Sequence, residues 1–143
     1  MKTEIERKFI VTNSVYKSLG KYEYCIQGYI PSTNSPLVRI RTIGNRSFLT
    51  MKSDVNGITC LEYEYAIPNQ DAKELLELFC QNSIVEKNRY KIYHESTLWE
   101  VDEFLGSNQG LIVAEVELDS EDQYYDKPSW IGKEISTDKK YYN

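Results

Sequence analysis

The sequence has few of the residues that build common metal sites and disulfide frameworks. His94 is the only histidine, and the three cysteines, Cys25, Cys60 and Cys80, lie far apart in the chain. Zinc sites are built mainly from histidine and cysteine, so this composition argues against a zinc site of the usual type. An odd number of widely spaced cysteines also argues against disulfides and predicts buried, reduced thiols in a cytoplasmic protein.

Long apolar runs and an excess of positive charge are missing as well. No stretch reaches 18 apolar residues, so no membrane span is predicted, and the charged start of the chain does not resemble a signal peptide. The net charge is −5, whereas proteins that bind nucleic acid normally carry a basic excess. We therefore expect neither a membrane nor a nucleic acid as partner, although clustered cations can still bind a small anion.

The pattern of the 143 residues predicts one domain, residues 1–143, that is mainly β with some helix. Eight segments have the alternation or the flanking turns of strands: 3–11, 22–30, 36–43, 46–53, 58–67, 83–94, 97–105 and 110–119. One amphipathic helix, with Ala72, Leu75, Leu76 and Phe79 on one stripe, lies between the fifth and the sixth strand. Short joins such as Gly44-Asn45 predict antiparallel pairing, and eight antiparallel strands often close into a barrel.

Ionisable residues alternate with apolar residues on six of these segments. Because alternate residues of a strand point to the same face, each alternation places a row of charges on one side of the sheet. The rows are Glu4/Glu6/Lys8, Arg39/Arg41, Glu62/Glu64, Lys87/Arg89/Lys91, Glu100/Asp102 and Glu115/Glu117. Some rows are entirely acidic and others entirely basic.

Two arrangements fit this alternation. In the first, the charged faces meet water and the apolar faces pack together, as in a sandwich or a sheet covered by a helix. In the second, the charged faces point into a barrel and the apolar faces pack outward. The sorting of charge by strand favours the second, and so do the large aromatic residues on the opposite face, which need burial. These aromatic residues are Phe9, Tyr63, Tyr65, Tyr90 and Trp99.

A charged interior of this kind restricts the chemistry that it can host. An unpaired buried ion costs several kcal/mol, so the interior must be wet, cross-paired, or occupied by metal and anion. Carboxylates without a histidine or cysteine cluster favour Mg²⁺ or Mn²⁺, and the basic rows offer contacts for phosphate. The sequence has no Walker-type glycine loop and no obvious Ser, Cys or His nucleophile. The pattern therefore predicts side chains that position a polyphosphate for attack by metal-activated water.

Short motifs follow one another along nearly the whole chain. They are Glu4-Ile5-Glu6-Arg7-Lys8, Val38-Arg39-Ile40-Arg41, Leu49-Thr50-Met51-Lys52, Glu62-Tyr63-Glu64, Glu86-Lys87-Asn88-Arg89, Trp99–Phe104, Ala114–Leu118 and Trp130–Ile135. The first resembles the E-x-E-x-K signature of CYTH domains, also called triphosphate tunnel metalloenzymes. The whole ordered set resembles that family and is most similar to its short bacterial branch.

This resemblance implies a closed eight-stranded antiparallel β-barrel with a few flanking helices, whose lumen binds a triphosphate with Mg²⁺ or Mn²⁺. The family includes inorganic triphosphatases, thiamine triphosphatases and class IV adenylyl cyclases. The short branch implies hydrolysis of inorganic tripolyphosphate to pyrophosphate and phosphate. Cyclisation of ATP, hydrolysis of thiamine triphosphate, and binding of nucleotide or polyphosphate without turnover stay open as alternatives.

The resemblance also implies roles for individual residues. Metal ligands would be Glu4, Glu6, Glu115, Glu117 and Asp102. Phosphate ligands would be Lys8, Arg39, Arg41, Lys52, Lys87 and Arg89. Catalytic residues would be Lys8 and Tyr29. Glu62 and Glu64 match tunnel acids whose role is metal-related or structural, and the resemblance leaves a homodimer open.

Overall fold

The computed structural model describes residues 2–141 and shows a β-barrel built from nine strands. The strands are β1 (Thr3–Val11), β2 (Tyr22–Ile30), β3 (Leu37–Ile43), β4 (Arg46–Lys52), β5 (Thr59–Ile67), β6 (Val85–His94), β7 (Thr97–Phe104), β8 (Ile112–Leu118) and β9 (Ile131–Glu134). One α-helix, α1 (Asn69–Phe79), joins β5 to β6. Short 3₁₀ helices span Val15–Ser18, Gly106–Asn108 and Lys139–Tyr141.

All strand pairs are antiparallel, and the order around the barrel is β5-β4-β3-β2-β6-β7-β8-β1. The barrel closes where Thr3–Ile5 of β1 pair with Thr59–Leu61 of β5. The predicted closed eight-stranded antiparallel barrel is therefore confirmed, and the predicted strands match the observed ones within two residues at each end.

The ninth strand was not predicted, because four residues are too few to show an alternating pattern. β9 pairs with the end of β1, where Phe9 lies opposite Glu134, on the edge that β5 leaves free. Gly132 permits this close approach, since a Cβ at that position would lie 2.7 Å from the backbone oxygen of Ile10. The C-terminal part of the chain is thereby fixed to the barrel wall.

Two apolar layers cover the outside of the barrel. The segment that leads into β9 packs Trp130 and Ile131 against strands β1, β6, β7 and β8, where Phe9, Tyr90 and Trp99 are buried. Helix α1 and Cys80, the residue that follows it, cover β2, β3 and β4 with the side chains of Ala72, Leu76 and Cys80. Gly28 lets the helix approach, because a Cβ on this residue would lie 2.6 Å from the Cβ of Cys80.

The outer face of β5 differs from the expectation. Tyr63 and Tyr65 were expected to be buried like the other outward aromatic residues, but they are 36% and 58% exposed. Phe79, which was expected on the buried stripe of α1, is also exposed. Tyr63 and Tyr65 stay exposed because neither covering layer packs over them: α1 and the C-terminal segment pack mainly against other strands.

One end of the lumen is filled with apolar side chains. Phe104 and Val113 face inward there and pack with Ile135 and Tyr141 from the C-terminal part of the chain and with Ile10. These residues form a small apolar cluster beside the charged part of the lumen. Among residues 2–141, no helix is both long and apolar enough to cross a membrane.

Candidate active site

The charged rows of six strands converge on one cavity inside the barrel. Its volume is about 190 Å³, and every side chain that lines it is charged. The lining residues are Glu4, Glu6, Arg39, Arg41, Lys52, Glu62, Glu64, Arg89, Glu100, Glu115 and Glu117. The arrangement with charges inside and apolar side chains outside is thus the one that the chain adopts.

A buried ion triad lies against this cavity, and we call it the Asp102 triad: Lys87, Asp102 and Arg89. The Lys87 ammonium lies 2.8 Å from one carboxylate oxygen of Asp102, and the Arg89 guanidinium donates to both oxygens at 2.7 and 2.8 Å. Burial by itself would raise the pKa of Asp102, but the charges of Lys87 and Arg89 outweigh it and hold that pKa well below its usual range. Both oxygens of Asp102 are therefore occupied by cations of the chain itself.

The cationic wall of the cavity offers donors to an anion. Arg39 is buried, and its terminal nitrogen lies 3.5 Å from the Thr50 hydroxyl and 3.6 Å from a Glu64 oxygen. Its Nε is buried without a hydrogen-bond partner among the described residues. Burial and the neighbouring charges of Arg39 and Arg89 lower the pKa of Arg41. Such crowding of like charges, with an unsatisfied donor, favours binding of a polyanion.

The opposite wall carries what we call the acidic cluster: Glu4, Glu6, Glu115 and Glu117. Burial, and then the charges of Glu115 and Glu4, raise the pKa of Glu6 to about 8. For Glu115, burial is outweighed by Lys8 and Arg89, which lower its pKa to about 2. Glu4 has Lys52 as its partner at 2.9 Å. At Glu6, therefore, the positive charges of Lys8 and Lys52 do not offset burial and the neighbouring carboxylates.

The acidic cluster fits a hard divalent cation by its donor chemistry. It supplies carboxylate oxygens only, which Mg²⁺ and Mn²⁺ prefer, and a cation would relieve the repulsion at Glu6. Within residues 2–141, however, no three His, Cys, Asp or Glu side chains form a ready-made metal site. One physical reason is the hydrogen bond from Lys52 to Glu4, because the Glu4 carboxylate would have to leave this lysine before it could bind a metal ion.

Lys8 and Tyr29 line two larger cavities at the end of the barrel that carries the loops after β2 and β4. Lys8 shares a cavity of about 550 Å³ with Glu4, Glu6 and Lys52 and lies 3.6 Å from a Glu6 oxygen. Tyr29 lines a cavity of about 650 Å³ near loop 31–36 and the end of α1. The register between β2 and β3 is continuous up to Ile30, and Tyr29 lies directly opposite Arg39, so both side chains point inward.

The structure thus gathers most of the predicted site residues around one cavity but separates four of them from its lining. Lys8 and Tyr29 line the neighbouring cavities, and Lys87 and Asp102 are completely buried in the Asp102 triad. Three inward residues were absent from the predicted set: Gln27, Thr50 and Glu100. Each is two positions from a predicted residue on its own strand, so strict alternation would have found all three.

The chain resembles known proteins over almost its whole length. A family model described as the CYTH domain matches residues 2–142. An inorganic triphosphatase of Acetivibrio thermocellus is 48% identical over 143 residues, which cover 100% of this chain and 92% of that protein. An inorganic triphosphatase of Nitrosomonas europaea is 37% identical over 145 residues, covering 99% and 94%. A crystal structure of an inorganic triphosphatase superposes with a TM-score of 0.67 at 34% identity, covering 97% of this chain and 93% of that one.

Proposed function

Because the chain belongs to the CYTH domain family, we propose that it hydrolyses inorganic tripolyphosphate to pyrophosphate and phosphate. The name of the two curated relatives supports this substrate. The observation that carries the proposal is the cavity of about 190 Å³ whose lining is entirely charged, with arginines on one wall and carboxylates on the other. A small, highly charged chain of phosphates without an apolar part suits such a lining.

The arginines of the cavity are the proposed phosphate ligands. Arg39 and Arg41 are both buried, and the free Nε–H of Arg39 gains an acceptor when a phosphoryl oxygen enters. Arg89 uses its Nε and one terminal nitrogen on Asp102, which orients the guanidinium at the wall of the cavity. Lys8 and Lys52 add point charges, and Lys87 acts from behind the wall through Asp102.

The acidic cluster is the proposed metal site, with Mg²⁺ or Mn²⁺ held by Glu4, Glu6, Glu115 and Glu117. A cation bound there would neutralise charge on the phosphoryl oxygens. Asp102 was predicted as a further metal ligand, but its two oxygens already face Lys87 and Arg89. We infer that Asp102 is a counter-ion that orients Arg89. Glu62 and Glu64 contact Lys52 and Arg39, which favours a structural role for these two acids.

The reaction is the attack of a water oxygen on the terminal phosphorus of the triphosphate. A new P–O bond forms, the bond to the bridging oxygen breaks, and pyrophosphate leaves with that oxygen. The buried arginines stabilise the charge that shifts onto the phosphoryl oxygens because they are held in place before the substrate binds. Lys8 and Tyr29, which line the two neighbouring cavities, supply one ammonium and one hydroxyl to the substrate.

The test is phosphate release from tripolyphosphate, ATP and thiamine triphosphate, each with and without Mg²⁺ or Mn²⁺. Metal-dependent release that is fastest from tripolyphosphate supports the proposal. Formation of cyclic AMP would favour a cyclase, preference for thiamine triphosphate would favour that hydrolase, and binding without release would favour a non-catalytic module. The cytoplasmic location and the homodimer stay predictions, to be tested by fractionation and by the mass of the protein in solution.

A further inference from the structure

A buried amide links two of the proposed site residues. Gln27 has no exposed surface. Its side-chain oxygen accepts a hydrogen bond from Nε of Arg41 at 2.9 Å, and its side-chain nitrogen donates to the Tyr29 hydroxyl at 3.0 Å. The strand register produces this arrangement, because Gln27 lies opposite Arg41 on β3 and shares the inner face of β2 with Tyr29.

The chemistry of the three groups fixes the direction of each hydrogen bond. A guanidinium can only donate, so the oxygen of Gln27 must face Arg41 and its NH₂ group must face Tyr29. The Tyr29 oxygen is then an acceptor in this contact. Its own hydrogen is not used by Gln27 and can point toward the substrate.

The backbone of Tyr29 is held as well. Its N–H donates to the Ser83 hydroxyl at 2.8 Å, and that hydroxyl donates to the Tyr29 carbonyl at 2.9 Å. The phenol is therefore fixed at its backbone by Ser83 and at its hydroxyl by Gln27. A buried amide that lacks a partner destabilises the fold, and here both ends of the Gln27 amide are satisfied.

We propose that Gln27 is a positioning residue that makes Tyr29 a hydrogen-bond donor to a phosphoryl oxygen of the substrate. Gln27 itself does not line the charged cavity. It acts through Tyr29 and, to a lesser degree, by orienting Arg41. This inference rests on the proposed function, since it assigns the direction of one hydrogen bond in a triphosphatase site.

The decisive variant is Gln27→Glu. A carboxylate has the same shape and keeps the contact with Arg41, but it can only accept, so it takes the Tyr29 hydrogen for itself. We expect kcat to fall roughly 100-fold, as for the loss of one preorganised donor, with a smaller change in KM. Tyr29→Phe should lower kcat by a similar factor. The double variant should be no slower than Tyr29→Phe alone, because both changes remove the same hydrogen bond.

Gln27→Met separates positioning from packing. It removes both amide contacts yet leaves the Tyr29 hydrogen free, so its kcat should be higher than that of Gln27→Glu even if it is the less stable protein. A purely structural role predicts the reverse order, since Gln27→Glu is the more conservative change. Gln109→Glu, on an exposed loop, is the matched control for the change in charge and should keep the activity of the unmodified enzyme.

The outcomes separate this inference from the proposed function. If the unmodified enzyme releases no phosphate from tripolyphosphate, the proposed function fails, and the same variants are compared on whichever triphosphate it does hydrolyse. If the enzyme is active but the effects of Gln27→Glu and Tyr29→Phe multiply in the double variant, the positioning role is wrong. It is equally wrong if Gln27→Met is slower than Gln27→Glu.

Discussion

In the Asp102 triad two cations surround one carboxylate, whereas in the acidic cluster Glu6 is crowded by other carboxylates. Both groups lie on the wall of the same lumen. The triad is buried, with Asp102 held ionised by Lys87 and Arg89, while the pKa of Glu6 is raised to about 8. The triad is thus neutralised by side chains of the chain itself, whereas Glu6 lacks a sufficient counter-charge and holds a proton until a higher pH or a bound cation displaces it.

This difference assigns the two groups to different tasks. Removing one partner of a balanced buried set leaves the others uncompensated, so the triad should support the fold. Removing Glu6, which Glu115 and Glu4 crowd, relieves repulsion, so we expect this residue to serve function and not stability. If every buried charge in the lumen were compensated by another side chain, the lumen would attract a metal ion or a polyanion only weakly.

The largest effect is expected from Asp102→Ala. It leaves two buried cations facing each other, and the free energy of unfolding should fall by about 3–5 kcal/mol. Urea denaturation measures this loss. The control is Glu23→Ala, which breaks an exposed pair with Arg46 and should cost about 0–1 kcal/mol. Equal losses in the two variants would show that the triad is no more important for stability than a surface pair.

Glu6→Gln should have the opposite character. We expect phosphate release from tripolyphosphate to fall at least about 100-fold, because a ligand of the proposed metal site is lost. The free energy of unfolding should stay the same or rise, since the crowded carboxylate is replaced by a neutral amide of the same shape. Steady-state kinetics and urea denaturation of the same preparation check both parts. Retained activity would remove Glu6 from the proposed metal site.

Mg²⁺ should stabilise the enzyme through the acidic cluster and not through the triad. A ligand that binds only the folded state at about 100 times its Kd adds about 2.7 kcal/mol to the free energy of unfolding. The gain should be present in the unmodified enzyme and clearly smaller in Glu6→Gln. Thermal unfolding with and without the metal measures it. A gain of the same size in both proteins would place the metal elsewhere.

The smallest effect, and the one that compares the two groups most directly, is the dependence of metal-free stability on pH. The folded state keeps a proton on Glu6 that the unfolded state loses, because its pKa rises from 4.5 to about 8. Its stabilising contribution is therefore complete below pH 4.5 and is lost as the pH rises through 8. Asp102, whose pKa is lowered, contributes above its unfolded pKa and loses that contribution as the pH falls.

The measurement is urea denaturation between pH 5 and pH 8.5 with a chelator present. The unmodified enzyme should lose more stability over this range than Glu6→Gln, because only the former has the titrating carboxyl group. Parallel curves for the two proteins would contradict the raised pKa of Glu6. Glu62 and Glu117, whose pKa values are also raised by burial, are present in both proteins, so the difference between the two curves reports on Glu6.

Strand periodicity predicted much of this structure. It is a local property of the chain, so it could not predict features that depend on contacts between distant segments. The alternation in β1 and β8 predicted which side chains face inward, because a strand has a fixed period of two. It could not predict β9, whose place depends on the contact between Gly132 and β1. It also failed for Tyr63 and Tyr65, because burial on the outer face depends on which distant segment covers it.

The sequence by itself therefore determined the strands, the sign of each charged row and the resemblance to the CYTH family. Local periodicity and motif order are properties of the chain alone. Only the tertiary structure decided how those charges are balanced. Asp102 and Glu6 look alike as acids in alternating strands, yet Asp102 is enclosed by two cations and Glu6 is crowded by Glu115 and Glu4. That difference arises from strand register and distance across the lumen, which no local pattern encodes.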